Sequence, residues 1–192
     1  MQIFLDLETT GLAPKNGSSY CDYKDSIKYA SCRIIQICMS LYNGETLVDE
    51  ICSYVDPLIP IPKEVTDLTK ITNDKVKDKK FSKEMVNKIK SFLKLGNKIV
   101  GHNIEFDIVV LSSELYRMNE TKLASVLFTK PTFCTMKNAY KLQKTGKYIK
   151  LQTLYSTFFK DDLGEAHDAK VDVLMCKKLY DLYVLIEKIN LE

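Results

Sequence analysis

The chain opens on a short apolar run, Ile3 to Leu7, whose length and β-prone residues suit a buried strand. Strand character returns at Arg33 to Tyr42. Asn43-Gly44 then marks a hairpin, and Thr46 to Val55 supplies the returning strand. These three runs predict an antiparallel meander, stopped by Asp56-Pro57 and by Pro60 and Pro62. The period then becomes helical. Short turns are expected over Lys63–Leu68 and Asn73–Lys77. A longer helix follows, capped by Ser82, carrying Met85, Ile89, Phe92 and Leu93 on one face and ending at Gly96. Lys98 to Gly101 reads as a brief strand, and Asn103 as the cap of an apolar helix over Ile104–Met118. Phe133 to Thr135 reads as a last strand, followed by helices over Met136–Gln143, Leu151–Phe159 and about Asp168 to Ile189. Ala13 to Cys32 has no clear period and reads as a long loop or small excursion. With no repeat or linker, residues 1–192 are expected to form a single domain. The expected fold is α/β, a mixed five-stranded sheet with helices on both faces.

The 192 residues suffice for one core, and 45% hydrophobic with 28% charged residues is ordinary for a globular protein. A net charge of +3 neither requires nor opposes a nucleic-acid partner. Six cysteines without a C-x-x-C pair, and only two histidines, argue against zinc. Cys38, Cys52 and Cys176 fall on apolar stretches and read as small core residues. No signal segment or membrane-length apolar run is visible, so an intracellular setting, cytoplasmic or nuclear, is expected, with no membrane contact.

The candidate chemistry starts in the first strand. Asp6 and Glu8, two residues apart, point to the same face, and Gly11 places them at the strand's C-terminal end. Two buried like charges repel and are costly to desolvate, and a divalent cation with oxygen ligands relieves both costs. The stretch alone leaves this reading and a solvated pair of acids equally open. Asp107 then falls on the apolar stripe of its helix, beside Val110 and Leu111. Asp172 does the same between Ala169 and Cys176. Buried acids are rare unless paired, and four without nearby arginines point to a metal. His167 lies five residues before Asp172, about 140° away if both were helical. They converge only if His167 lies outside the helix, with Asp168 as its cap, where the ring would suit a general base.

Asp6-x-Glu8 within DLETTGL, His102-Asn103-x-x-Phe106-Asp107 and His167-x4-Asp172 together resemble the three motifs of the DEDDh-type 3′→5′ exonucleases, the DnaQ-like family. RIIQI at 33–37, LTKIT at 68–72 and KLQTL at 150–154 follow in the family's order, so the likeness covers almost the whole chain. Position 168, four before Asp172, is Asp and not Tyr, which argues against the DEDDy branch. The resemblance implies a ribonuclease H-like fold and two Mg²⁺ or Mn²⁺ ions held by Asp6, Glu8, Asp107 and Asp172, with His167 as the base. It also implies substrate contacts. Backbone around Glu8, Thr9 and Thr10 would hold the terminal 3′-OH, Leu12 and Ile71 would wedge against the last bases, and His102 and Phe106 would line the nucleotide pocket.

The implied partner is a single-stranded 3′ end of DNA or RNA, hydrolysed to nucleoside 5′-monophosphates, with a polymerase as a further candidate. The competing reading is a catalytically silent nuclease-like domain that only binds nucleic acid or a polymerase. All four acids and His167 being present counts against it. Two features depart from the family pattern. Lys70 stands where many relatives carry glycine, and Ala13–Cys32 is longer than the usual link. That segment carries Tyr20, Tyr23 and Tyr29 with Lys15, Lys24 and Lys28, a mixture suited equally to substrate contact or to packing. Lys137, Lys141, Lys144, Lys147 and Lys150 beside Tyr140 and Tyr148, and Lys75, Lys77, Lys79 and Lys80, form two basic clusters. Each reads slightly better as a solvated face than as a phosphate track.

Overall fold

A computed structural model of the chain describes residues 1–143, 147–161, 163–164 and 167–189, with backbone alone for 141–143. The strands are β1 (Gln2–Thr9), β2 (Lys15–Asn16), β3 (Ser19–Tyr20), β4 (Ile34–Asn43), β5 (Thr46–Tyr54), β6 (Lys98–Gly101) and β7 (Thr132–Cys134). The helices are α1 (Lys63–Thr69), α2 (Asn73–Val76), α3 (Lys83–Leu95), α4 (Glu105–Arg117), α5 (Thr121–Thr129), α6 (Thr135–Gln143), α7 (Leu151–Phe158) and α8 (Ala169–Ile189). The main sheet runs β5-β4-β1-β6-β7, antiparallel from β5 to β1 and parallel from β1 to β7. This is the expected mixed sheet with its meander.

β1 occupies the centre because it can be buried on both faces. Ile3, Leu5 and Leu7 join the core formed with α3, α4 and α5, while Phe4 joins the core under α8 with Val173, Cys176 and Leu179. Burying each such side chain contributes on the order of 1.5–3 kcal/mol. The same alternation turns Asp6 and Glu8 toward α8.

The caps are borne out in part. Ser82 Oγ accepts from the Met85 N–H at 3.2 Å, as expected. Gly96 ends α3 for a different reason than a left-handed cap, since its φ is −81°. A Cβ there would lie 2.4 Å from Ile3 Cγ1, so the glycine is needed for close approach to β1. Asn103 is not a side-chain cap of α4. It adopts the left-handed conformation (φ 59°), and Ile104 precedes the helix with no side-chain cap bond. Cys52 lies exposed on the edge strand β5, not in the core.

Two elements have no counterpart in the pattern analysis. α5 is short, bounded by threonines and uncapped by any side chain, so only Leu123, Ala124 and Leu127 mark its buried face. The β2–β3 hairpin lies within Ala13–Cys32. That segment is anchored by fully buried Tyr29, whose hydroxyl donates to the Cys21 carbonyl at 2.9 Å and whose own carbonyl accepts from Arg117 Nη2 at 2.6 Å. No described helix is long and apolar enough to cross a membrane.

Candidate active site

The parallel partner of β1 stops early. β6 pairs with Gln2 to Phe4 only, and the chain then turns away at Gly101, where a Cβ would lie 2.7 Å from the Leu5 carbonyl oxygen. The Leu7 N–H, with no β6 residue paired to Leu7, donates instead to Asp107 Oδ1 at 3.1 Å. A carboxylate from the first turn of α4 is thereby fixed to the backbone between Asp6 and Glu8. On the other side, α8 brings Asp172 to the same strand end. Ligand atoms of Glu8, His167 and Asp172 all lie within 4.8 Å of one another. His167 sits outside α8, as the spacing required, in a left-handed turn (φ 67°). Asp168 caps the helix, its Oδ1 accepting from the Lys170 N–H at 2.9 Å.

The electrostatics follow from this crowding. Burial, reinforced by Asp107, Asp172, Glu8 and Asp168, holds the Asp6 carboxyl well above its ordinary range. Burial, then Asp172 and Asp168, pushes Glu8 up to about 8. Asp107 is raised by burial, opposed by backbone N–H groups including that of Leu7, with Glu8 and Asp172 adding to the rise. Asp172 is pushed up to about 6 by burial, opposed by the His167 N–H and increased by Asp168. Burial and the Lys150 charge lower His167, favouring a neutral ring. Glu114 is an instructive contrast. It is also a buried acid on α4, but it accepts from Arg33 at 3.1 and 2.8 Å and from Arg117 at 2.8 Å. Among the described residues, no ion pair reaches Asp6, Glu8, Asp107 or Asp172.

Asp168 adds a fifth carboxyl group that its sequence role as a cap did not announce. Gln36 of β4 steadies it, Nε2 donating to Oδ1 at 3.3 Å. The only sequence signal was its place between His167 and the helix.

The residues expected to line the substrate fare unequally. Leu12 is 87% exposed beside the strand end, free to meet a base. Thr9 Oγ1 donates to the Gly11 carbonyl at 2.8 Å. Thr10 is committed to the fold. Its N–H donates to the Arg33 carbonyl at 2.8 Å, and its hydroxyl donates to the Ser31 carbonyl at 2.7 Å. Ile71 is a correction: it is buried with Ile35, Ile61 and Val76, so its side chain packs a core and presents nothing to a base. His102 has both ring nitrogens occupied. With Nε2–H donating to the Ile149 carbonyl, Nδ1 accepts from the Thr135 hydroxyl, each at 2.9 Å, and burial pulls its pKa down to about 4. Only its ring faces remain for contact. Phe106 is half-buried, with the Tyr20 ring edge-on at 6.4 Å. Tyr23 packs against Tyr116 and Phe128, so of the three segment tyrosines only Tyr20 borders the site.

In the first basic cluster, Lys144 and the Lys141 side chain lie outside the described residues. In the second, Lys75 and Lys79 both lie over the Tyr54 ring, at 4.4 and 4.9 Å.

The RNase T exonuclease family model matches residues 3–180. The DNA polymerase III subunit epsilon of Rickettsia prowazekii is 27% identical over 181 residues, covering 93% of this chain and 72% of that protein. A PolC-type DNA polymerase III of Caldanaerobacter subterraneus is 27% identical over 184 residues, covering 94% of this chain; the chain spans 12% of that polymerase. Among solved structures, E. coli exonuclease I in complex with a dT13 oligonucleotide superposes with a TM-score of 0.69 at 19% identity, over 94% of this chain and 40% of that one. Exonuclease X in complex with 5′ overhanging duplex DNA gives 0.56 at 20% identity, over 96% and 92%. The sheet and its helices are therefore those of the ribonuclease H-like exonucleases.

Proposed function

We propose that this chain, which belongs to the RNase T exonuclease family and is DnaQ-like, folds as one domain and is a DEDDh-type 3′→5′ exonuclease. Its substrate is a single-stranded 3′ end of DNA or RNA, released as nucleoside 5′-monophosphates. The observation that carries this is the convergence of Asp6, Glu8, Asp107 and Asp172 at one strand end, with no cation paired to them among the described residues and His167 beside them.

That donor set fits divalent ions: hard oxygen ligands, partly buried, each destabilised as an anion first by burial and then by neighbouring carboxylates. Asp6, Glu8, Asp107 and Asp172 would hold two Mg²⁺ or Mn²⁺. When bound, the ions supply Lewis acidity to the attacking water and to the leaving oxygen. A neutral His167 ring nitrogen accepts the proton of that water. Water oxygen bonds to phosphorus as the bond to the 3′-oxygen of the preceding nucleotide breaks. The Leu7 N–H keeps Asp107 in register with β1, and the His167 N–H does the same for Asp172. Leu12 meets the terminal base, and Phe106 with the His102 ring faces lines its pocket.

Six free cysteines suit a reducing, intracellular setting. Association with a polymerase is a second arrangement of the same activity, suggested by the polymerase III relatives.

The test is digestion of end-labelled single-stranded DNA and RNA with Mg²⁺ or Mn²⁺, beside Asp6→Asn and an EDTA control. Stepwise shortening from the 3′ end is expected for the native chain alone with metal. Full activity in excess EDTA would sink the proposal.

A further inference from the structure

Near the strand end, a hydrogen bond ties the loop before α4 to the loop before α7. His102 Nε2–H donates to the Ile149 carbonyl, and the charge of Lys150 bears on His167. The segment Tyr148–Lys150 therefore runs along the rim of the candidate active site. Lys137 of α6 pairs with Glu105, next to Phe106, and its ammonium lies within electrostatic reach of the Tyr148 phenol. Tyr148 thus precedes the Ile149 carbonyl that holds His102, on the side of Lys137 and its partner Glu105.

On this rim the Tyr148 and Tyr140 rings lie against each other, centroids 5.3 Å apart and planes tilted by 50°. Both stay open to solvent, at 61% and 41% exposure. A tyrosine that served packing alone would bury most of its ring, as Tyr29, Tyr155 and Tyr183 do. Flat aromatic faces flanked by lysines match the chemistry of a single strand, whose bases stack while its phosphates seek cations.

We propose that Tyr140 and Tyr148, flanked by Lys137 and Lys150, form a stacking platform for the bases of the single strand leading up to the scissile 3′ end. The platform rests on the exonuclease reading, and the two can fail separately. It makes affinity depend on substrate length: a dinucleotide fills the catalytic pocket alone, whereas a longer strand also covers the platform.

The chain has no tryptophan, so Tyr148→Trp places a single indole on the platform. In the Asp6→Asn background with Mg²⁺, an oligothymidylate of about twenty nucleotides should quench that indole over the concentrations at which anisotropy of the labelled strand reports binding. Binding without quenching, or no binding, overturns the platform. In the otherwise native chain, Tyr140→Ala with Tyr148→Ala should shrink the kcat/KM advantage of this strand over a thymidine dinucleotide by about 10-fold or more, and Tyr148→Trp should preserve it. An equal length advantage in the native and double-variant proteins also overturns it. A Tyr148→Trp chain with Asp6 intact that binds and quenches normally, while neither it nor the native chain releases nucleotides, would instead sink the exonuclease reading and leave the platform standing.

Discussion

Glu8→Gln should stabilise the metal-free protein, and by an amount that grows with pH. The Glu8 carboxyl is pushed from 4.5 up to about 8, chiefly by burial and then by Asp172 and Asp168. A group whose folded pKa is raised costs nothing below its unfolded pKa. Above that it penalises folding progressively, and the penalty is complete once pH passes the folded pKa. Between about pH 4.5 and 8 the folded chain holds a proton that the unfolded chain releases. At pH 7, about 2.5 units above the ordinary value, the cost is about 3 kcal/mol. For a chain of this size that corresponds to roughly 6–12 °C in Tm. Thermal melts of both proteins in EDTA, from pH 4.5 to 8.5, read the difference directly. The two Tm values should nearly coincide at pH 4.5 and diverge to a plateau near pH 8, with Glu8→Gln the higher. Added Mg²⁺ or Mn²⁺ should close or reverse the gap, because the carboxylate then has its counter-charge. A gap independent of pH, or a native protein more stable than Glu8→Gln in EDTA at pH 8, would refute the reasoning.

His167→Ala should lower kcat by about 10²–10⁴-fold with little change in substrate affinity, read by single-turnover kinetics against a binding titration. A loss of affinity alone would remove it as the base. Because His167 is lowered from its ordinary value, the acid limb of kcat should lie below pH 6.5, and its absence in His167→Ala would assign that limb. Ile71→Ala should cost about 2–5 kcal/mol in urea unfolding, as a cavity in the cluster of Ile35, Ile61 and Val76. A KM effect without loss of stability would restore it as a substrate contact. Replacing Ala13–Cys32 by a short turn should destabilise the fold through loss of buried Tyr23 and Tyr29, visible as a lowered Tm before any substrate effect is assayed.

Periodicity along the chain determined most of the elements, because strand alternation and helical stripes are local consequences of burying one face. It therefore carried Asp6 and Glu8 onto one side of β1, Asp107 and Asp172 onto apolar stripes, and His167 out of its helix. What local pattern does not contain is which groups meet. That β6 ends after three paired residues, freeing the Leu7 N–H for Asp107, depends on the Gly101 backbone crossing Leu5. Only the packed structure separated Glu114, neutralised by Arg33 and Arg117, from the four acids that no ion pair reaches among the described residues. Exposure was equally out of reach of the sequence: Leu12 and Ile71 are both apolar residues in family-like segments, yet one projects into solvent and the other is sealed beneath α1 and α2. The tyrosines of Ala13–Cys32 divide in the same way. Arg117 and Cys21 fix Tyr29 inside, and only the β2–β3 hairpin carries Tyr20 to the site. Burial and charge balance are sums over neighbours distant in sequence, and those neighbours exist only once the sheet has closed against its helices.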